Sequence, residues 1–122
     1  MAEVINGEDV LYRRIAPAQM LGDTILPSAF KLGGKPDPNI SVDLARLTTP
    51  TVSLNRGKPG KIGYALGEFE AEVPFRLGLV VRHDPSRSNY SHCVIEGGNT
   101  KSTCRELAKA ARIVLRSDHG DE

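Results

Sequence analysis

The sequence predicts an α+β domain: a single, mostly antiparallel sheet of about five or six strands with one C-terminal amphipathic helix packed on it. Three observations lead there. Short apolar runs rich in Val, Ile and Leu recur along the chain, each broken by Gly, Pro, Asn or Asp, which is the pattern of strands joined by turns. Only near the C-terminus does the apolar spacing lengthen from two to three and four, as one face of a helix requires. At 122 residues, with 39% apolar side chains and no Trp, the chain can bury one aliphatic core but not two, so residues 1–122 are read as one domain.

In chain order, residues 1–9 are mostly polar and are expected to be loosely held, as is the tail 117–122. Residues 10–15 form the first strand, ended by Pro17. Pro17, Gly22 and Pro27 then impose a loop with one short extended piece at 24–26, anchored by Phe30. Gly33-Gly34-Lys35 invites comparison with a phosphate-binding loop. Pro36 and Pro38 disfavour a helix starting at Lys35, so the stretch is a plain turn and implies no nucleotide cofactor.

Residues 40–47 alternate as a strand, with Ile40, Val42, Leu44 and Arg46 on one face and Ser41, Asp43, Ala45 and Leu47 on the other. Thr48-Thr49-Pro50 opens a short helical turn through Leu54, because Thr caps free N–H groups and Pro fits the first turn. Residues 55–60, with two glycines and a proline, are a loop. Residues 62–75 read as one long strand whose apolar parity shifts between Leu66 and Phe69, so a bulge is expected at Gly67. Within 77–98, two apolar runs read as strands flanking the polar loop 82–92, the second strand opened by Cys93. Thr100 or Ser102 then caps a helix predicted to run to about Ile113, with Cys104, Leu107, Ala108 and Ala111 facing the sheet.

The chemistry concentrates between residues 82 and 92. His83 and His92 lie across a short loop joining adjacent strands, so their imidazoles are expected to converge and divide acid and base roles, with Arg82 and Tyr90 completing a catalytic set. Asp84, Arg87 and Asn89 of the same loop, and Arg13 of the first strand, are the associated binding residues, with Arg14 the alternative strand cation that could point toward the site. A second constellation is the flank of the last helix, where Lys101, Arg105, Lys109, Arg112 and Arg116 recur at spacings of four, four, three and four.

Composition limits the partners. Sixteen basic and 15 acidic side chains give a net charge of +1, which argues against whole-surface attraction to a polyanion but leaves a local patch available. No run approaches the ~20 apolar residues of a membrane helix, and the acidic start is unlike a signal peptide, so a cytoplasmic protein without membrane attachment is expected. Cys93 and Cys104 lack Cys-x-x-Cys spacing and read as buried reduced thiols. A metal site would need ligands beyond His83 and His92 that the sequence does not supply, and none is assigned.

The resulting expectation is a small binding or accessory protein that engages nucleic acid, a nucleotide or an acidic protein partner. The alternative is a small His-dependent hydrolase or nuclease acting on phosphodiesters. A third reading, a structural subunit, would expose an apolar patch near Phe30 or Phe75.

Overall fold

The computed structural model describes residues 2–56 and 63–117. Its strands are β1 (Val10–Ile15), β2 (Met20–Leu21), β3 (Thr24–Ile25), β4 (Lys31–Leu32), β5 (Lys35–Pro36), β6 (Ile40–Leu44), β7 (Ala65–Glu70), β8 (Val80–His83), β9 (His92–Glu96) and β10 (Arg112–Arg116). The α-helices are α1 (Pro50–Asn55), α2 (Glu72–Arg76) and α3 (Lys101–Ala110). Six strands form one antiparallel sheet in the order β10-β7-β1-β6-β9-β8, so the α+β architecture is the one expected. β2 pairs with β3 and β4 with β5 as small hairpins. Gly33 and Gly34 hold φ of 61° and 82°, the left-handed pair that a two-residue hairpin turn needs, which confirms the plain turn there.

Alternation sorts the sheet into two faces. Leu11, Ile15, Ile40, Val42, Leu44, Phe69, Val81, Cys93 and Ile95 share the core face, against Phe30, Leu79 and the Cys104, Leu107 and Ala108 stripe of α3. Phe30 is fully buried and meets Phe69 edge-on at 5.7 Å, so it belongs to the core rather than to an exposed patch, whereas Phe75 is partly exposed. The opposite face carries Tyr12, Arg14, Ser41, Asp43, Leu66, Glu68, Arg82, Val94 and His92. Helix α1, capped by the Thr49 hydroxyl accepting from the Val52 amide at 3.2 Å, buries Ser53 and Leu54 against part of that face.

Several expectations need correction, among them the strand 40–47, which stops at Leu44 and passes into a 3-10 turn over Ala45–Leu47. The run 62–75 is not one strand: β7 ends at Glu70 and α2 follows, because Pro74 sits in the first turn of a helix, where its missing N–H costs nothing. Gly78, at φ 82°, closes that helix, with Gly78 N donating to Phe75 O and Leu79 N to Pro74 O. The parity shift has another cause than a bulge in β7, which runs in regular register along β1 through Gly67. Leu66 is buried on the opposite face near α1, and the extra residue lies in β10, between Ile113 and Leu115. A Cβ at Gly67 would come within 2.9 Å of Ile25 Cδ1, so glycine there admits the β3 hairpin.

Helix α3 stops at Ala110, and residues 112–116 pass into β10 at the sheet edge, where β-branched Ile113 and Val114 suit a strand. The N-terminal stretch is likewise more firmly held than expected of a chain end. Arg46 binds the Glu3 and Asp9 carboxylates at 2.7 and 2.9 Å and the Val4 carbonyl at 3.0 Å, and Gly7 O and Asp9 O accept from Glu72 N and Ala71 N. Residues 57–60 of the expected loop, residues 61–62 at the start of the expected strand and residues 118–122 of the tail lie outside the described residues. No described helix is long and apolar enough to cross a membrane.

Candidate functional site

The polar face of the sheet holds a buried carboxylate. Asp43 stands in β6 between Val42 and Leu44, pointing away from the core, and its side chain is only 1% exposed. Its hydrogen-bond and ion-pair partners among the described residues are all donors. Ser53 Oγ donates to Oδ2 at 2.6 Å, Asn89 Nδ2 to Oδ1 at 2.9 Å, and Arg14 Nη1 reaches Oδ2 at 3.4 Å while also donating to Ser53 O at 2.8 Å. Arg56 Nε lies 3.6 Å from Oδ2, and its Nη2 donates to Thr48 Oγ1. Behind Asn89, Ser91 N and Oγ both donate to its Oδ1, fixing the amide so that its NH₂ faces Asp43. An acceptor-only carboxylate is the group that satisfies such a shell, and burying it is tolerable because it is paired as well as hydrogen-bonded.

Cross-strand register brings a second group beside it. Tyr12, Asp43 and His92 are successive partners across β1, β6 and β9. His92 Nδ1 lies 2.9 Å from the Asp84 carbonyl, which can only accept, so Nδ1 carries the proton. In the neutral imidazole Nε2 is then the lone-pair nitrogen, 3.2 Å from the Ser41 hydroxyl. Asp84 Oδ2 adds a carboxylate 3.4 Å from Nδ1.

The two imidazoles do not converge. His83 pairs with Cys93 across β8 and β9 and so shares the core face with it, while His92, one residue earlier in its strand, points to the other face. His83 is buried with both nitrogens engaged: Nδ1 accepts from Glu3 N at 2.8 Å and Nε2 donates to Tyr90 O at 2.7 Å. It closes the loop and binds the N-terminal segment, with the Tyr90 ring packed edge-on at 4.9 Å and the Tyr90 hydroxyl 3.4 Å from Glu3 Oε2. The pair therefore leaves the sheet from opposite sides and is not brought together as the shared acid-base role requires.

Other expected site residues are also accounted for. Arg13 is on the core face, where Nε and Nη2 donate to Ala29 O and Nη1 to Ser41 O, with the guanidinium 5.8 Å from the Phe30 ring centre. That occupies it as a clamp between the 27–30 turn and the sheet. Arg82 is held by Glu96 at 3.0 Å and Asp84 at 3.5 Å. Arg87 is exposed and without an ion pair among the described residues. Asn89, expected to contact a ligand, instead holds Asp43.

The basic flank is divided by the end of α3. Lys101, Arg105 and Lys109 are exposed on the helix, Lys109 lying 3.8 Å from Glu106. Arg112 is on β10 and pairs with Glu68 at 2.7 Å, and Arg116 pairs with Asp23 at 2.6 Å. The helix covers the core face, so its three cations lie on the other side of the sheet from Asp43 and His92.

The chain matches no protein-family model, no curated protein and no solved structure. Its chemistry therefore rests on the geometry above. Among the described residues no three His, Cys, Asp or Glu side chains are grouped as a metal site. Cys93 and Cys104 are buried free thiols, and burial, reinforced by the nearby Asp43 charge, pushes the Cys93 thiol up to about 12. Because a raised value keeps the thiol protonated, Cys93 should resist iodoacetamide in the folded protein at pH 8 and react only after unfolding. Alkylation of Cys93 in the native state would show that its strand opens.

The sequence signals single out Arg13 or Arg14 on the first strand but none of Ser41, Asp43, Ser53 and Arg56. One signal was available: Asp is depleted in strands, yet Asp43 interrupts an apolar strand pattern, so it needed cationic partners on the same face.

Proposed function

We propose that this is a small binding or accessory protein whose partner carries phosphate, engaged on the polar face of the sheet beside loop 84–91. The observation that carries this reading is that two guanidiniums, Arg14 and Arg56, meet a single carboxylate. One positive charge is left uncompensated within the cluster. Arg14 Nε and Nη2 donate to nothing among the described residues, whereas Arg56, its Nε buried against Asp43 and its Nη1 and Nη2 donating to Ser88 O and Thr48 Oγ1, contributes charge rather than free donors. A planar guanidinium with unused donors suits phosphate oxygens, which it can engage two at a time. Exposed Arg87 adds a further cation on the adjoining loop.

The cations of α3 point away from this site, so a nucleotide-sized ligand can use the Arg14 cluster but not both patches. A long nucleic acid could reach the second set only by passing around the sheet edge. Titration calorimetry with pyrophosphate, ATP and a short RNA tests the reading. Binding should weaken steeply as salt is added. Arg14→Gln should cost about 1.5–3 kcal/mol, the usual worth of a charged hydrogen bond, or roughly 10- to 150-fold in affinity. The double change Arg105→Glu with Lys109→Glu should leave ATP binding unchanged. Binding that ignores salt, or survives Arg14→Gln intact, would refute the assignment, and binding of a carboxylate-rich peptide instead of all three probes would replace phosphate with an acidic protein as the partner.

A further inference from the structure

We propose that Ser41, His92 and Asp84 form a base-activated serine nucleophile able to cleave carboxylic esters that carry an anionic group. The three come from separate elements: Ser41 from β6, Asp84 from the residue following β8, and His92 from the start of β9. Sheet register brings them together. Val94 is the cross-strand partner of Ser41, and His92, two residues earlier on the same face, is its diagonal neighbour. Asp84 joins the row from the next strand, its amide donating to His92 O at 2.8 Å.

The order of hydrogen bonds is the one that general-base activation requires. The Asp84 carbonyl at 2.9 Å places the proton on Nδ1, leaving the Nε2 lone pair for the Ser41 hydroxyl at 3.2 Å. The Asp84 carboxylate, 3.4 Å from Nδ1, faces the positive charge that appears when Nε2 takes the serine proton. Ser41 is exposed and the His92 side chain 24% exposed, so an ester can approach the oxygen. Ser53, on α1 against the same face, cannot serve, because it is buried and its hydroxyl is committed to Asp43.

In the reaction Ser41 Oγ attacks the ester carbonyl while its proton passes to His92 Nε2. The tetrahedral intermediate expels the alkoxide, which leaves as the alcohol with that proton, and an acyl group remains on Ser41. Water, deprotonated by His92, then releases the acid and restores the hydroxyl. Arg14 and Ser41 stand on the same face of neighbouring strands, on the same side of the Tyr12–Asp43 pair, so the Arg14 charge belongs to the same face as the nucleophile. The charges around His92 are those of Asp84 and Asp43, set against Arg82, Arg14 and Arg56. The preference for an anionic ester rests on the phosphate-binding reading above, whereas the nucleophile itself does not.

The test is covalent labelling of the full chain with an uncharged alkyl fluorophosphonate, read by intact mass. Here the Ser41 Oγ–phosphorus bond forms, the phosphorus–fluorine bond breaks, fluoride leaves, and His92 takes the hydroxyl proton. One adduct per chain is expected, located on Ser41 and absent in Ser41→Ala, an exposed position whose loss leaves the core untouched. His92→Ala should slow labelling by about 10²-fold or more, in the range of general-base contributions, and added imidazole should restore part of the rate. Asp84 is a positioning residue: Asp84→Asn should slow labelling and Asp84→Glu should recover part of it. Absence of labelling in the unchanged chain, equal labelling in Ser41→Ala, or an unchanged rate in His92→Ala would each overturn the nucleophile. Pyrophosphate should protect Ser41 in proportion to its occupancy. Labelling at Ser41 that pyrophosphate does not slow would remove the anionic-substrate clause while leaving the nucleophile standing.

Discussion

Asp43→Ala is expected to destabilise the fold by about 3–5 kcal/mol, the range seen when one partner of a buried ion pair is removed. The change leaves Arg14 and Arg56 facing each other and deprives Ser53 and Asn89 of their acceptor. Asp43→Asn keeps the shape but not the chemistry. Since donors approach both carboxylate oxygens, an amide must turn its NH₂ against one set of them, and about 1–3 kcal/mol should be lost for the buried group left unsatisfied. Adding Asn89→Asp should return part of that loss, because the amide at 43 can then donate to the carboxylate at 89 while Ser91 continues to donate there. Urea denaturation of the two single variants and the double variant gives the coupling directly. Simple additivity of the two changes would mean that Asp43 and Asn89 do not act as one unit.

The second large effect is at Phe30. Its ring is fully buried, set edge-on against Phe69 and under the Arg13 guanidinium, and α3 packs over the turn that carries it. Phe30→Ala should cost about 3–5 kcal/mol through lost burial and the cavity left behind. The loss is local in origin. Cys104 Sγ donates to Phe30 O at 3.3 Å and Asn99 Nδ2 to the same carbonyl at 3.1 Å, so hydrogen exchange should rise first in α3. A loss below about 0.5 kcal/mol, the size of a surface change, would show that the helix docks on the sheet without this ring.

Much of the local structure was legible in the residues themselves. Thr49-Pro50 and Thr100 do cap α1 and α3, Gly33-Gly34 makes a hairpin turn, and the stripe of Cys104, Leu107 and Ala108 does face the core. Each is a nearest-neighbour effect, in which a hydroxyl finds an N–H three residues on, a glycine takes a positive φ, or apolar side chains recur once per turn. The same local logic misread residues 72–75, because Glu-Val-Pro-Phe alternates as well as a strand does and only the Pro74 and Gly78 positions reveal a short helix. It also carried α3 too far, since nothing in the spacing of Arg112 and Arg116 reports that β7 has an open edge for β10 to pair with.

The candidate site divides the same way. Composition, turn chemistry and periodicity determined an α+β domain whose reactive side chains gather around residues 82–92. Which of them can act together was decided by sheet register, which sends His83 into the core and His92 to the opposite face. Register also brings Ser41, Asp43, Asp84 and His92 into neighbouring positions although 51 residues separate the serine from the imidazole. Local propensity is set by a few residues along the chain, whereas strand order and register follow from burying one apolar face of the whole sheet, so no stretch of sequence read alone could place these groups side by side.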